Sequence, residues 1–177
     1  MESGRLVKAM KKLSTEESSS RLSGIRLWCL DVDGVLTDGG LYYTDDGHQL
    51  RKFNVKDGVA IKRAMAAGVE IAIITASSAD VITKRAADLG VKHVFPGVED
   101  KLVTLNDLCE KLDIPLGLVA HMGDDLNDLP VLQAVGLPMT VADAVPEVIE
   151  SVAYVTSAGG GKGAVREISD LLVTSKT

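Results

Sequence analysis

Residues 27–38, LWCLDVDGVLTD, constrain this chain more than any other stretch. They open with Leu27, Trp28, Cys29 and Leu30, an apolar run of strand length, with Ile25 just ahead of it. The run stops at two aspartates, Asp31 and Asp33, one residue apart, and Gly34 follows, where a residue without a Cβ suits a sharp turn. A buried parallel strand that ends in acid reads as a polar site, because open α/β sheets bind ligands at the carboxyl edge of their strands. Carboxylates cannot enter a core unpaired without a cost on the order of several kcal/mol. A divalent cation would neutralise them; a solvated acidic turn is the other way to place them.

Beyond this stretch the pattern alternates. Residues 39–53 read as a β-hairpin, with Leu41, Tyr42 and Tyr43 leading into the turn signal Thr44-Asp45-Asp46-Gly47. Helical patterns over 58–67, 78–89, 98–112, 126–134, 146–151 and 164–173 are interleaved with apolar strands at 69–74, 91–95, 116–122, 137–141 and 153–155. Strand and helix in alternation predict right-handed crossovers and a doubly wound, mostly parallel α/β sheet, with the hairpin as a flap and no lid domain. The chemistry then gathers along one edge. Three predicted strands end in polar groups, at Asp31 and Asp33, at Thr75, and at Asp124 and Asp125, while Lys101 lies near the start of a helix.

The set has a chemical meaning. Oxygen ligands suit magnesium, which is held by one or two carboxylates together with phosphate oxygens. An aspartate beside the metal can act as a nucleophile, and a second aspartate two residues on can protonate a leaving alkoxide and later deprotonate water. Thr75 and Lys101 can hold nonbridging phosphate oxygens. Taken singly, Thr75 reads as a helix cap and Lys101 as an exposed lysine.

Composition narrows the partners. The 177 residues suit one domain, expected over 25–177, preceded by a tail or docking helix at 1–24 in which Leu6, Val7, Met10 and Leu13 share a weak helical face and STEESSSRLSG reads as a linker. A net charge of −6 leaves no basic footprint for nucleic acid. Two cysteines support neither a disulfide framework nor a zinc site. No apolar run reaches the ~18 residues of a membrane span, and no signal-peptide core is evident, so a cytoplasmic protein is expected.

DVDGVLTDG at 31–39, the threonine of IIT at 73–75, Lys101 and GDDLND at 123–128 together resemble the four motifs of the haloacid dehalogenase phosphatase superfamily. The resemblance implies that Asp31 is the nucleophile and a magnesium ligand, and that Asp33 is the acid/base and binds the metal through its carbonyl. It further implies that Thr75 and Lys101 bind phosphate, that Asp124 is a metal carboxylate and that Asp125 or Asp128 supports these groups from behind. FNVKDG at 53–58, VGLPMTVADAVPEV at 135–148 and GGKGAVRE at 160–167 are similar to the small cap-less branch that includes 3-deoxy-D-manno-octulosonate 8-phosphate phosphatase. That branch implies a phosphorylated acidic keto sugar as substrate and a homotetramer assembled through the hairpins. It also implies substrate contacts from Asn54, Val55, Lys56, Asp57, Gly58, Lys62 and Arg85. One departure stands out: the branch usually carries Thr-Gly-Arg where this chain has Thr75-Ala76-Ser77. Serine has no bidentate reach to a carboxylate, which brings nonulosonate 9-phosphates forward as alternative substrates and leaves contacts to the sugar acid to Lys56, Lys62, Arg85 or a neighbouring chain. A phosphoacceptor domain and a catalytically idle oligomerisation module are the readings from other classes.

Overall fold

The structure is a computed structural model and describes residues 15–176. In chain order the elements are α1 (Thr15–Gly24), β1 (Leu27–Leu30), β2 (Tyr42–Tyr43), β3 (Gln49–Leu50), α2 (Val55–Ala66), β4 (Glu70–Ile74), α3 (Asp80–Leu89) and β5 (His93–Phe95). Next come α4 (Lys101–Leu112), β6 (Val119–Met122), α5 (Leu129–Leu132), β7 (Leu137–Thr140), α6 (Pro146–Ser151), β8 (Tyr154–Val155) and α7 (Ala164–Ser175).

β1 is central because all four of its residues are apolar and buried, which only a strand covered on both faces allows. Its period of two splits them: Trp28 and Leu30 join one apolar cluster, with residues of α2, α3, α6 and α7, and Leu27 and Cys29 join the other, with residues of α4 and α5. β4 and β6 flank it in parallel, Leu27 lying opposite both Glu70 and Val119. The full order is β5-β4-β1-β6-β7-β8, with every pairing parallel. Counting only this sheet's strands along the chain, the order is the doubly wound 3-2-1-4-5-6, and it reverses between β1 and β6. Right-handed crossovers explain the layering: moving outward from β1 to β4 and β5 places α2 and α3 on one face. Returning past β1 to β6 places α4 on the other.

The expected elements are present, with shifted ends. α2 begins three residues early because Asn54 caps it, its side chain accepting from the Lys56 amide at 2.8 Å. The helix expected over 126–134 is instead a 3₁₀ turn at Leu126–Asp128 running into α5. The segment expected as a linker needs correction over residues 15–24. These residues form α1, which packs on α7; Leu22 is buried, and Lys176 donates to the Ser23 carbonyl. One well-placed leucine and a C-terminal partner outweigh the low apolar content of that stretch. The face of Leu6, Val7, Met10 and Leu13 lies outside the described residues.

Candidate active site

β1 runs straight into Asp31 and β6 into Gly123-Asp124, so the two strands at the reversal point deliver their acids to the same place. Asp31 is buried; its Oδ1 accepts from the Val32 amide at 2.7 Å, and its Oδ2 lies 2.8 Å from Lys101 Nζ. Lys101 opens α4, where Asp100 caps the helix by accepting from the Leu102 and Val103 amides. A side chain at the first helical position leans back toward the helix start, which carries this lysine inward, 3% exposed, between Asp31 and Asp128.

Asp128 anchors the arrangement. It is fully buried and meets Lys101 Nζ at 2.8 Å and His121 Nε2 at 2.9 Å through Oδ1, while Oδ2 accepts from the Asp124 amide at 3.2 Å. Of the two candidates for a supporting carboxylate, Asp128 therefore sits behind the site, whereas Asp125 is exposed, accepts from the Leu126 amide and lines the pocket mouth. Gly34 allows the two acidic loops to approach. Its φ is +83°, and a Cβ there would fall 1.9 Å from Asp124 Oδ2. The GGKG segment supports the same turn from beneath, with the Gly161 amide donating to the Val35 carbonyl and a Cβ on Gly160 excluded by the Gly34 carbonyl at 1.8 Å.

The electrostatics follow from crowding. Burial, then Asp128, pushes the Asp31 carboxyl up to about 6 despite Lys101. Burial, then Asp31, Asp128 and Asp125, raises Asp124 to about 7. For Asp128, burial acts upward, yet His121 and Lys101 draw it down to about 2. Burial also works against the Lys101 ammonium, but Asp31 and Asp128 outweigh it and hold it above its usual range. One ammonium thus faces more carboxylate than it can neutralise, and Asp31, Asp124 and Asp128 can bring oxygens within 4.8 Å of one another. Asp128 is already occupied by its partners. Asp31 and Asp124 carry the uncompensated charge, and two carboxylates beside an open pocket fit a hard divalent cation such as magnesium.

That pocket, of about 330 Å³, is lined by Asp31, Asp33, Thr75, Ser77, Asp124 and Asn127 among others. Thr75 is buried at the end of β4, its hydroxyl accepting from the Ser77 amide at 3.2 Å. Thr75 therefore closes a local turn as well as facing the pocket. A wider groove of about 790 Å³ adjoins it, sharing Asp33 and Ser77 and extending to Leu41, Gln49 and Arg51 of the hairpin.

The structure gathers Asp31, Asp33, Thr75, Lys101, Asp124 and Asp128, and it does not bring the segment 54–58 to them. Asn54 caps α2 and donates to the Gly161 carbonyl, and Asp57 is buried, accepting from the Gly163 and Arg166 amides at the start of α7. Gly58 lies under Arg85, whose Nη2 would stand 2.4 Å from a Cβ. Val55, Lys56 and Lys62 are exposed, and Arg85 stacks over Phe53 and donates to the Asn54 carbonyl. None of these lines either hollow. Two residues near the site are not evident from motifs. His121 carries a signal all the same, as a polar residue inside a buried strand. Arg51, which donates to Asp33 and Ser77, becomes visible only when the hairpin folds back.

Residues 91–168 match the model of the haloacid dehalogenase-like hydrolases. The chain is 46% identical over 157 residues to 3-deoxy-D-manno-octulosonate 8-phosphate phosphatase KdsC of Escherichia coli K12, covering 89% of this chain and 84% of that one. Among solved structures, the same phosphatase from Yersinia pestis superposes with a TM-score of 0.88 at 42% identity, covering 90% and 86% of the two chains. The Moraxella catarrhalis phosphatase, in complex with magnesium, phosphate and a KDO molecule, gives 0.90 at 34% identity over 92% and 94%. With its sheet order, its paired acids at the reversal point and these relatives, the chain belongs to the haloacid dehalogenase-like hydrolases, in the cap-less branch of the 3-deoxy-D-manno-octulosonate 8-phosphate phosphatases.

Proposed function

We propose that this chain is a magnesium-dependent phosphatase that hydrolyses a phosphorylated acidic keto sugar, 3-deoxy-D-manno-octulosonate 8-phosphate or a near relative, through an aspartyl-phosphate on Asp31. The observation that carries the reading is the Asp31–Lys101–Asp128 chain beside Asp124 at the point where strand order reverses. The E. coli relative, 46% identical, supports the substrate class.

Asp31 attacks phosphorus through a carboxylate oxygen while the sugar oxygen leaves. Asp33, two residues on and only partly exposed, gives that oxygen its proton, then takes one from the water that releases phosphate. Lys101 and Thr75 hold the nonbridging oxygens, and Asp128, with His121 behind it, holds Lys101 on target. Asp31, Asp124 and the Asp33 carbonyl would hold magnesium, which when bound supplies charge to the phosphoryl oxygens. The exposed Leu41, Tyr42, Tyr43 and Leu50 of the hairpin support assembly into a homotetramer, since contiguous exposed apolar surface of this kind marks interfaces. In that assembly Asn54, Val55, Lys56, Asp57, Gly58, Lys62 and Arg85 would serve the substrate through a neighbouring subunit or through the walls that hold the site. Among the described residues no helix is long and apolar enough to cross a membrane, in keeping with a cytoplasmic enzyme.

A screen of eight- and nine-carbon keto-acid phosphates, with and without magnesium and with p-nitrophenyl phosphate alongside, tests this. Magnesium-dependent release of phosphate, fastest from octulosonate 8-phosphate, is expected. Preference for a nonulosonate 9-phosphate would reassign the sugar. Stable phosphorylation without turnover would favour a phosphoacceptor, and no reaction at all an idle module.

A further inference from the structure

The hairpin is exposed along most of its length, and Arg51 breaks that pattern. Its side chain is 3% exposed, whereas Tyr43 at the opposite strand is 64% exposed. Burying a guanidinium is costly unless its donors are met, and here they are. Nε lies 2.7 Å from Asp33 Oδ1 and Nη2 3.2 Å from Asp33 Oδ2. Nη2 also donates to Ser77 Oγ at 2.8 Å, and Nη1 to Gln49 Oε1 at 3.2 Å. This places the guanidinium where the inner pocket opens into the outer groove, since Asp33 and Ser77 line both. Of the described residues lining the two hollows, Arg51 alone carries a permanent positive charge.

We infer that Arg51 is the specificity-determining residue that receives the substrate's carboxylate, and that it does so by exchanging that carboxylate for Asp33. The inference rests on the phosphatase reading. A sugar acid with its phosphate against Asp31 lays its other end along the outer groove, where Arg51 is the cation within reach. A forked guanidinium–carboxylate contact is then replaced by another of the same kind, so the exchange sacrifices little. It also changes what Asp33 can do. In the present arrangement both Asp33 oxygens are held by Arg51; once released, the carboxylate can take up a proton from water and pass it to the leaving oxygen. The contact that seats the sugar acid therefore also frees the acid/base. A phosphate ester without a carboxylate leaves Arg51 on Asp33. Ser77 has a matching part, because its short side chain leaves the guanidinium room and gives it an acceptor.

The test uses the full chain with magnesium and three substrates: octulosonate 8-phosphate, the same phosphate with its carboxylate reduced to the alcohol, and p-nitrophenyl phosphate. Wild type should favour the acid over the alcohol by tenfold or more in kcat/KM, because only the acid draws Arg51 off Asp33 and so restores proton transfer to the leaving oxygen. Arg51→Ala should abolish that preference, chiefly by raising kcat/KM for the alcohol, whose leaving oxygen needs the proton from Asp33. Arg51→Lys should recover part of the preference, since it keeps the charge and loses the fork. The acid-to-alcohol ratio is insensitive to how much of a variant is folded. If Arg51→Ala keeps the wild-type ratio, or if wild type shows none, the exchange is refuted while the phosphatase reading stands. Wild-type protein that turns over none of the three refutes both.

Discussion

Lys101 and Tyr43 belong to two regions that border one connected hollow, yet Lys101 is 3% exposed and Tyr43 64%. The region around Lys101 is drawn from β1, β6, the start of α4 and the turn after β6, and Asp31, Lys101, Asp128 and His121 are linked in it at hydrogen-bond distance. The hairpin region has two-residue strands, exposed apolar side chains and one buried charge, Arg51. An isolated hairpin of this size is marginal in water; here it is tied to the turn after β1 by the Thr37–Phe53 bridge and by Arg51 on Asp33. The contrast separates two tasks. Breaking phosphate esters needs fixed charges, which a sheet edge supplies, whereas choosing among sugars needs a surface that can yield. Asp33 lies where the two regions meet, lining both hollows.

Asp31→Asn breaks the contrast most severely, because it removes the nucleophile we propose for the first task. Turnover of every phosphate ester should fall by more than about 10⁴-fold, as for loss of other covalent nucleophiles. The fold should persist, since one of several crowded carboxylates becomes neutral. Steady-state rates with circular dichroism check both halves, and near-normal turnover would rule out the covalent route.

Asp33→Asn acts at the boundary and should discriminate. Loss of proton transfer costs roughly 10²- to 10⁴-fold for a sugar alkoxide. It should cost much less for p-nitrophenolate, which leaves without help. Equal losses on the two substrates would place Asp33 outside the proton path.

The division also describes what is legible in the sequence. Motifs such as DVDG and GDDLND are legible because a sheet edge obliges acids to sit immediately after apolar runs, as Asp31 and Asp124 do. Lys101 is legible in order and type; its inward turn depends on the Asp100 cap. Arg51 is not, since nothing local says that one residue of an exposed flap will fold inward to meet Asp33, 18 positions earlier. Asp57 misleads for the converse reason: an acid at a helix start looks available, but α7, more than 100 positions on, claims it. Long-range partners of single side chains are what periodicity does not carry.

Replacing Tyr42 and Tyr43 with lysine tests the hairpin side alone. Both are at least half exposed, so the subunit fold should be kept while like charges meet across any hairpin interface. Light scattering should show a fall in mass toward the monomer. Hydrolysis of p-nitrophenyl phosphate should stay within a few-fold of wild type, because Asp31, Lys101, Asp124 and Asp128 lie in one chain. Unchanged mass would move the interface elsewhere.

The smallest effect concerns charge at the fixed end. Asp31 and Asp124 rise from 3.8 to about 6 and about 7, mainly through burial, so without metal the folded state holds these protons more tightly than the unfolded chain does. Their contribution to stability is fully present below the ordinary value of 3.8 and is lost as pH climbs through about 7. Asp128, drawn down to about 2, runs the other way, and its contribution fades only as pH falls from 3.8 toward 2. Magnesium needs both pocket carboxylates deprotonated. At pH 8 it meets them ionised and relieves their repulsion, whereas at pH 5 it must displace protons. Added magnesium should therefore raise the melting temperature by several degrees at pH 8, given roughly 2–4 °C per kcal/mol for a domain of this size. At pH 5 the gain should be less than half as large. Asp124→Asn should remove most of the difference between the two, because it deletes the more strongly raised group. A magnesium gain that is equal at both pH values, or larger at pH 5, would mean that the metal is held by groups other than Asp31 and Asp124.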